Sequence, residues 1–260
     1  MKHFLGEEWD IWPAGGATGE AYIAQQGDQK IFIKRNSSPF LAVLSAEGIV
    51  PKLLWTKRLE NGDVITAQRW VNGRELKSPE MCEKRVARLL SKIHRSEELI
   101  DMFKRLGNRP LTPKCLLENM KERIKHLQIQ DPYMLQGIQW LGKKIDGLED
   151  CKHVVCHADL NHNNWMMSEE NLYLIDWDGA IIADPALDIA PLLYLYIPQG
   201  EWEAWLGEYG VDNNDGLMYR LRWYMVAQCV ESMLWRWQRQ EYHEMTMWSD
   251  ILSQILQQEN

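Results

Sequence analysis

The hydrophobic period of this chain changes once, near Val71-Asn72-Gly73, and that change restricts the folds open to it. Before it, apolar residues come in short β-rich runs. AYIAQ (21–25) and KIFIKR (30–35) flank a QGDQ turn, and LLWTKRL (53–59) and VITAQRWV (64–71) flank Asn61-Gly62. Such runs, broken by turn residues, predict two antiparallel hairpins. Between them SSPFLAVLSAEG predicts one short helix, with Ser38 as cap, Pro39 at the first helical position and Gly48 at the end.

After the change the period becomes helical. Val86, Leu89, Leu90 and Ile93 share one helical face, and 114–127 and 133–145 read as further helices. Segment 153–176 reads as a strand, a polar loop and a second strand. From 186 onward the pattern is almost wholly helical, with a stripe of Trp223, Val226, Val230, Met233 and Trp237. The expectation is an α+β chain of two lobes: an N-terminal antiparallel β lobe over 1–71 and a mainly helical C-terminal lobe over 72–260. Two lobes joined by a short hinge make a natural cleft for a small ligand.

Composition narrows the partners. The formal net charge of −8 argues against a nucleic-acid surface, which normally needs a basic patch. Five scattered cysteines, with no metal-ligand spacing and no signal peptide ahead of them, read as reduced thiols in a cytoplasmic protein. No run approaches the ~18–20 apolar residues of a membrane span.

Two stretches carry chemistry: HADLNHNN (157–164) and LIDWD (174–178). An aspartate and an asparagine five apart in a loop are, by themselves, ordinary turn chemistry. Here His157, Asp159 and Asn164 fit H-x-D-x-x-x-x-N, and Asp176 ends an apolar strand twelve residues later. Phosphoryl transfer needs such a set. Asp159 can orient a hydroxyl and accept its proton, while Asn164 and a rigidly held Asp176 offer oxygens to magnesium. Asp178 is close enough in sequence to serve a second ion.

These motifs resemble the catalytic and metal-binding loops of the protein-kinase-like fold, and more closely those of the aminoglycoside phosphotransferase and choline kinase branch. Ala158 stands where that branch often has glycine. Asp176-Trp177-Asp178 replaces Asp-Phe-Gly and no A-P-E segment is recognisable, both of which argue against a kinase acting on proteins. The resemblance implies ATP and Mg2+ as cofactors. It also assigns the front lobe. Gly15, Gly16 and Gly19 in PAGGATGEAY would approach phosphates through backbone N–H groups. Lys34 in IFIKR would reach the α- and β-phosphates, with Glu47 as its ion-pair partner. Gln68, Arg69 and Trp70 would offer hinge backbone to adenine. His157 and His94 read as loop supports, Trp165 as packing, and Asp188 as an acceptor for the catalytic loop.

Non-catalytic stretches are similar to a narrower group, the CcrZ-type cell-cycle regulators of Gram-positive bacteria (the YtmP group). They are NSSPFLAVLSAEGIVPKLLW, KIHRSEEL, KRLG and TPKCLLENM, besides the two motifs. That resemblance, over about residues 12–240, implies a cytoplasmic protein acting on DnaA-dependent initiation of replication. It implies ATP use in the presence of ribose or 2-deoxyribose, and contact with division proteins such as FtsZ. Asn161 departs from the basic residue expected there. The leading expectation is therefore a kinase for a hydroxyl of a sugar or nucleoside-like acceptor, held by aromatic residues Tyr194, Trp202, Trp205, Trp223 and Tyr224. A choline or aminoglycoside kinase, or a regulatory nucleotide-binding module, are the rivals.

Overall fold

The computed structural model describes residues 5–6, 8–14, 20–169 and 171–257. Its contacts divide the chain into two compact units. One comprises Met1–Lys77, Glu97–Met102 and Asn161–Asp176, the other Ser78–Ser96, Phe103–Leu160 and Trp177–Asn260.

The first unit is built on a five-stranded antiparallel sheet. Its strands are β1 (Asp10–Pro13), β2 (Ala21–Gln26), β3 (Gln29–Arg35), β4 (Leu53–Arg58) and β5 (Val64–Arg69), in the order β1-β2-β3-β5-β4. Alternation sets the faces. Ala24, Ile31, Ile33, Ile65 and Ala67 form the buried side, against which Trp9, Ile11, Tyr22, Trp55 and Leu59 pack. Lys34 lies between Ile33 and Arg35 on the opposite face, paired in register with Ala21 and Thr66.

Helix α1 (Phe40–Ala46) buries Phe40 and Leu44. The N-cap is Pro39 itself, without a side-chain cap. Ser38, expected as the cap, sits one residue earlier and accepts from the Phe40 amide at 3.2 Å. Pro39 already has helical dihedrals, φ −54° and ψ −20°, and the Ser38 bond to the second residue on is the contact a cap makes, so the helical turn opens where the spacing suggests. Gly48 follows the helix at φ +67°, a conformation that favours glycine.

A three-stranded sheet, β6 (Arg74–Glu75), β8 (Trp165–Met167) and β9 (Leu172–Leu174), completes this unit. The expected polar loop over 157–171 thus contains a strand of its own, β8, antiparallel to β9. Gly73 is needed beside it. A Cβ there would lie 2.8 Å from the carbonyl oxygen of Met167.

The second unit pairs β7 (Val154–Cys156) with β10 (Ile181–Ala183) and surrounds them with helices. These are α2 (Lys84–Arg95), α4 (Pro113–His126), α5 (Pro132–Lys144), α6 (Ala186–Tyr196), α7 (Trp202–Tyr209), α8 (Asp215–Gln238) and α9 (Met245–Gln257). Helix α3 (Glu97–Arg105) lies between α2 and α4 in sequence, and its residues Glu97–Met102 belong to the first unit. Thr112 and Asp131 cap α4 and α5, each with proline in the first turn.

Helix α8 is the axis of the unit. The sequence suggests one apolar stripe, yet Trp223, Tyr224, Met225, Val226 and Ala227 are all buried in succession. Five successive residues cover more than a full turn, so α8 is enclosed on every side over that length. Gly137 of α5 lets the two helices approach, because a Cβ there would meet Val230 at 2.6 Å. Among the described residues, no helix is long and apolar enough to cross a membrane.

Candidate active site

The segment bearing Asp159 starts where β7 ends. Val154, Val155 and Cys156 are buried, and Cys156 pairs with Ile181, which fixes the exit of the strand at His157. The loop that follows is held by one carboxylate. Asp188, in the first turn of α6, accepts the His157 amide at 2.8 Å and the Ala158 amide at 2.9 Å. His94 Nε2 lies 3.1 Å from the same carboxylate, and its Nδ1 lies 2.7 Å from the Tyr209 hydroxyl. A carboxylate accepts, so Nε2 carries the proton and Nδ1 accepts from Tyr209. Burial pushes the Tyr209 phenol up, which keeps it a donor.

Asp188 is 1% exposed, and burying a carboxylate is costly unless donors surround it. Three donors do so here. Asp188 and His94 therefore support the loop as expected from sequence. Tyr209 completes the chain of bonds and carries no sequence signal, lying 115 positions from His94. Cys156 lies beside His94 and Asp188, but the donor set is not that of a metal site. The imidazole nitrogens meet Tyr209 and Asp188, and burial pushes the thiol up, whereas metals take a thiolate.

Ala158 adopts φ +66°. A left-handed conformation costs a non-glycine residue about 1–2 kcal/mol. Replacing Ala158 with glycine removes that cost but gives the unfolded chain more freedom, worth about 0.4–1 kcal/mol. The expected result is a gain of between zero and about 1.6 kcal/mol in urea unfolding. A lower midpoint would mean that the methyl group makes contacts outweighing the strain. His157 is buried, with its ring edge-on to Trp177 at 4.8 Å, which suits a brace. Asp159 is exposed, while the next residue, Leu160, is buried.

In the other unit, the Asn161 side chain accepts from the Asn163 amide at 3.0 Å and starts a tight turn, His162–Asn164. Asparagine at 161 thus has a local reason. The carbonyl of Asn164 accepts the Ile175 amide at 2.8 Å, which extends the β8–β9 ladder by one rung. That rung holds Asn164 beside the residue preceding Asp176. Trp165 is fully buried beneath it, as packing requires, and the Leu174 amide donates to Ile49 at 3.0 Å.

Asp176 then turns at φ +64°. Its Oδ1 lies 3.7 Å from Lys34 Nζ, with side chains 59% and 25% exposed respectively. Lys34, Asn164 and Asp176 are therefore brought together by β3, β8 and β9. One amide oxygen and one carboxylate are hard oxygen donors of the kind magnesium takes. Asp178 lies in a separate turn, Trp177–Gly179, and is exposed.

Glu47 is the C-cap of α1 and half-buried. The Gln68 side chain is buried and donates to the Pro51 carbonyl at 2.9 Å. The Trp70 ring carries Lys30 Nζ at 3.9 Å from its centroid. Both side chains are engaged in structure, and Gln68 is paired in the sheet with Phe32 and with Leu53, so its backbone is not open to a ligand. The Arg69 amide is used by the Lys52 carbonyl at 2.8 Å. Gly15, Gly16 and Gly19 lie outside the described residues. Of the five aromatics expected around an acceptor, Trp202, Trp205, Trp223 and Tyr224 are buried, and Tyr194 and Trp202 line a cavity at the far end of α6 from Asp188. Large rings bury the most apolar area, and an enclosed α8 takes them inward.

A five-stranded antiparallel sheet, a helical unit and two polar loops bearing Asp159, Asn164 and Asp176 define the protein-kinase-like fold of the aminoglycoside phosphotransferase type. The chain matches a model described as the phosphotransferase enzyme family over residues 13–224, and it belongs to that family. Similar solved structures include the choline kinase LicA from Streptococcus pneumoniae, at 20% identity and TM-score 0.67, covering 96% of this chain and 94% of that one. Spectinomycin phosphotransferase APH(9)-Ia, solved with ADP and spectinomycin, is 17% identical at TM-score 0.71, covering 96% and 93%. Macrolide 2'-phosphotransferase MphH from Brachybacterium faecium is 14% identical at TM-score 0.66, covering 95% and 92%.

Proposed function

We propose that this phosphotransferase moves the γ-phosphoryl group of ATP onto a hydroxyl of a small sugar or nucleoside-like molecule, with D-ribose and 2-deoxy-D-ribose as the first acceptors to try. The observation that carries the reading is the gathering of Lys34, Asn164 and Asp176, with the Lys34–Asp176 contact at 3.7 Å. Nucleotide use is supported by the neighbours solved with ADP and with AMP.

In this reading Asp159 orients the acceptor hydroxyl and takes its proton late. Asn164 and Asp176 hold magnesium, and Asp178 is the candidate ligand of a second ion. Magnesium there neutralises charge on the phosphates. Lys34, oriented by Glu47, does so at the α- and β-phosphates, Gly15, Gly16 and Gly19 supply backbone donors, and the backbone at the end of β5, beyond the Arg69 amide that Lys52 uses, faces adenine. Most of the acceleration is positioning and electrostatics. The similarity to CcrZ-type regulators adds a biological role, in which product or protein contacts act on DnaA-dependent initiation and on division proteins such as FtsZ.

A panel of ribose, nucleosides, choline and aminoglycosides, scored by magnesium-dependent ATP consumption with Asp159→Ala as control, tests this reading. Consumption on ribose or nucleosides is expected. A preference for choline would move the enzyme to the choline branch. Nucleotide binding without turnover on any acceptor would make it a regulatory binding module.

A further inference from the structure

A cavity of about 480 Å³ opens in the helical unit. Two landmarks place it away from the catalytic loop. Asp188 sits in the first turn of α6, whereas the cavity is lined by Leu193 and Ile197 at that helix's far end. At 1.5 Å per residue they are roughly 8 and 13 Å along the axis from Asp188. On α8, Met218, Tyr219 and Arg222 line the cavity and flank Arg220, which bonds Asp184 at 3.0 Å. Asp184 follows Ala183, the partner of Val154, at the end of the β7–β10 ladder opposite His157.

The walls are fixed rings. The Trp202 indole N–H donates to the carbonyls of Leu193 and Ile197, at 3.1 and 2.9 Å. The Tyr219 hydroxyl donates to the Lys144 carbonyl at 2.8 Å. With their polar atoms committed, both residues offer ring faces, and Tyr194 packs 4.9 Å from Trp202 between centroids. Arg222 is the cation of the lining, 5.7 Å from the centroid of the Trp140 ring. Arg222 is held by the carbonyl of Ile255 and opposes the upward push of burial on the Tyr194 phenol. Asp215 is the carboxylate of the lining and is exposed, whereas Arg222 is half-buried. Water screens the exposed carboxylate more than the half-buried guanidinium, which disfavours a quaternary amine and favours an anion near Arg222, while the rings favour a flat or cyclic body.

We propose that this cavity is a second ligand site, separate from the loop that bears Asp159, for a small ring carrying one anionic group. The proposal goes beyond the kinase reading and does not depend on which acceptor that reading proves to have. Calorimetric titration of the full chain with glucose 6-phosphate and with benzoate, against glucose and benzyl alcohol, tests it. Binding of either anion above its neutral counterpart is expected, and which of the two binds identifies a sugar phosphate or an aromatic carboxylate.

Arg222→Met should weaken that binding at least about 10-fold, a charged hydrogen bond being lost. Asp215→Asn, a surface change, should tighten it about 3-fold by removing a like charge. Asp159→Ala should leave it unchanged. Three results each overturn the proposal: no binding of either anion up to about 10 mM, equal binding of the neutral rings, or an affinity indifferent to Asp215→Asn.

Discussion

Replacing Asp159 with alanine is expected to lower ATP-dependent phosphoryl transfer by about 10²–10⁴-fold, the usual cost of losing a positioned base. Stability should stay within about 0.5 kcal/mol of the parent, as for most surface substitutions. The side chain is exposed, whereas the loop around it is anchored by other residues: Leu160 inward, and the His157 and Ala158 amides onto Asp188. Steady-state kinetics with the best acceptor, together with urea unfolding of the same sample, separates the two effects. Transfer at the parental rate would remove Asp159 from the role of base. A large loss of stability would instead make it a structural residue.

The second large effect belongs to Asp188. Substitution by alanine strands three buried donors at once: two amides and His94 Nε2. Removing one partner from such a buried charged arrangement costs about 3–5 kcal/mol. Asp188→Asn keeps one acceptor oxygen but turns an N–H₂ toward a donor, and a loss of about 1–3 kcal/mol is expected. Both should depress phosphoryl transfer through the loop, with the asparagine variant still folded well enough to assay. Parental stability in Asp188→Ala would mean that the carboxylate is not the acceptor these distances describe.

Much of this was legible in the residues. Alternation of buried and open positions placed β2, β3, β4 and β5, because period two survives wherever one face of a sheet is covered. Asn61-Gly62 and Gly27-Asp28 marked their turns. The spacing of His157, Asp159, Asn164 and Asp176 identified the two polar loops, since loop chemistry is written in consecutive residues. What failed to show was non-local. Strand β8 is Trp165–Met167, three residues without a period to read. The burial of α8 on all sides depends on helices distant in sequence, such as α5 through Gly137, so the residues suggest a stripe where the helix is enclosed. Trp205, Trp223 and Tyr224 looked like an acceptor wall because a ring's chemistry is the same in a core and in a pocket. Tyr209 could not be found at all, as its partner His94 is distant in sequence.

The pair of amides donated to Asp188 has a consequence for how the molecule opens. The full network they belong to, with His94 on the same carboxylate and Tyr209 on His94, closes only when α2, α6 and α7 have assembled around the loop. Local fraying cannot release a loop tied this way, so the segment bearing Asp159 melts with the helical body as a cooperative whole rather than ahead of it.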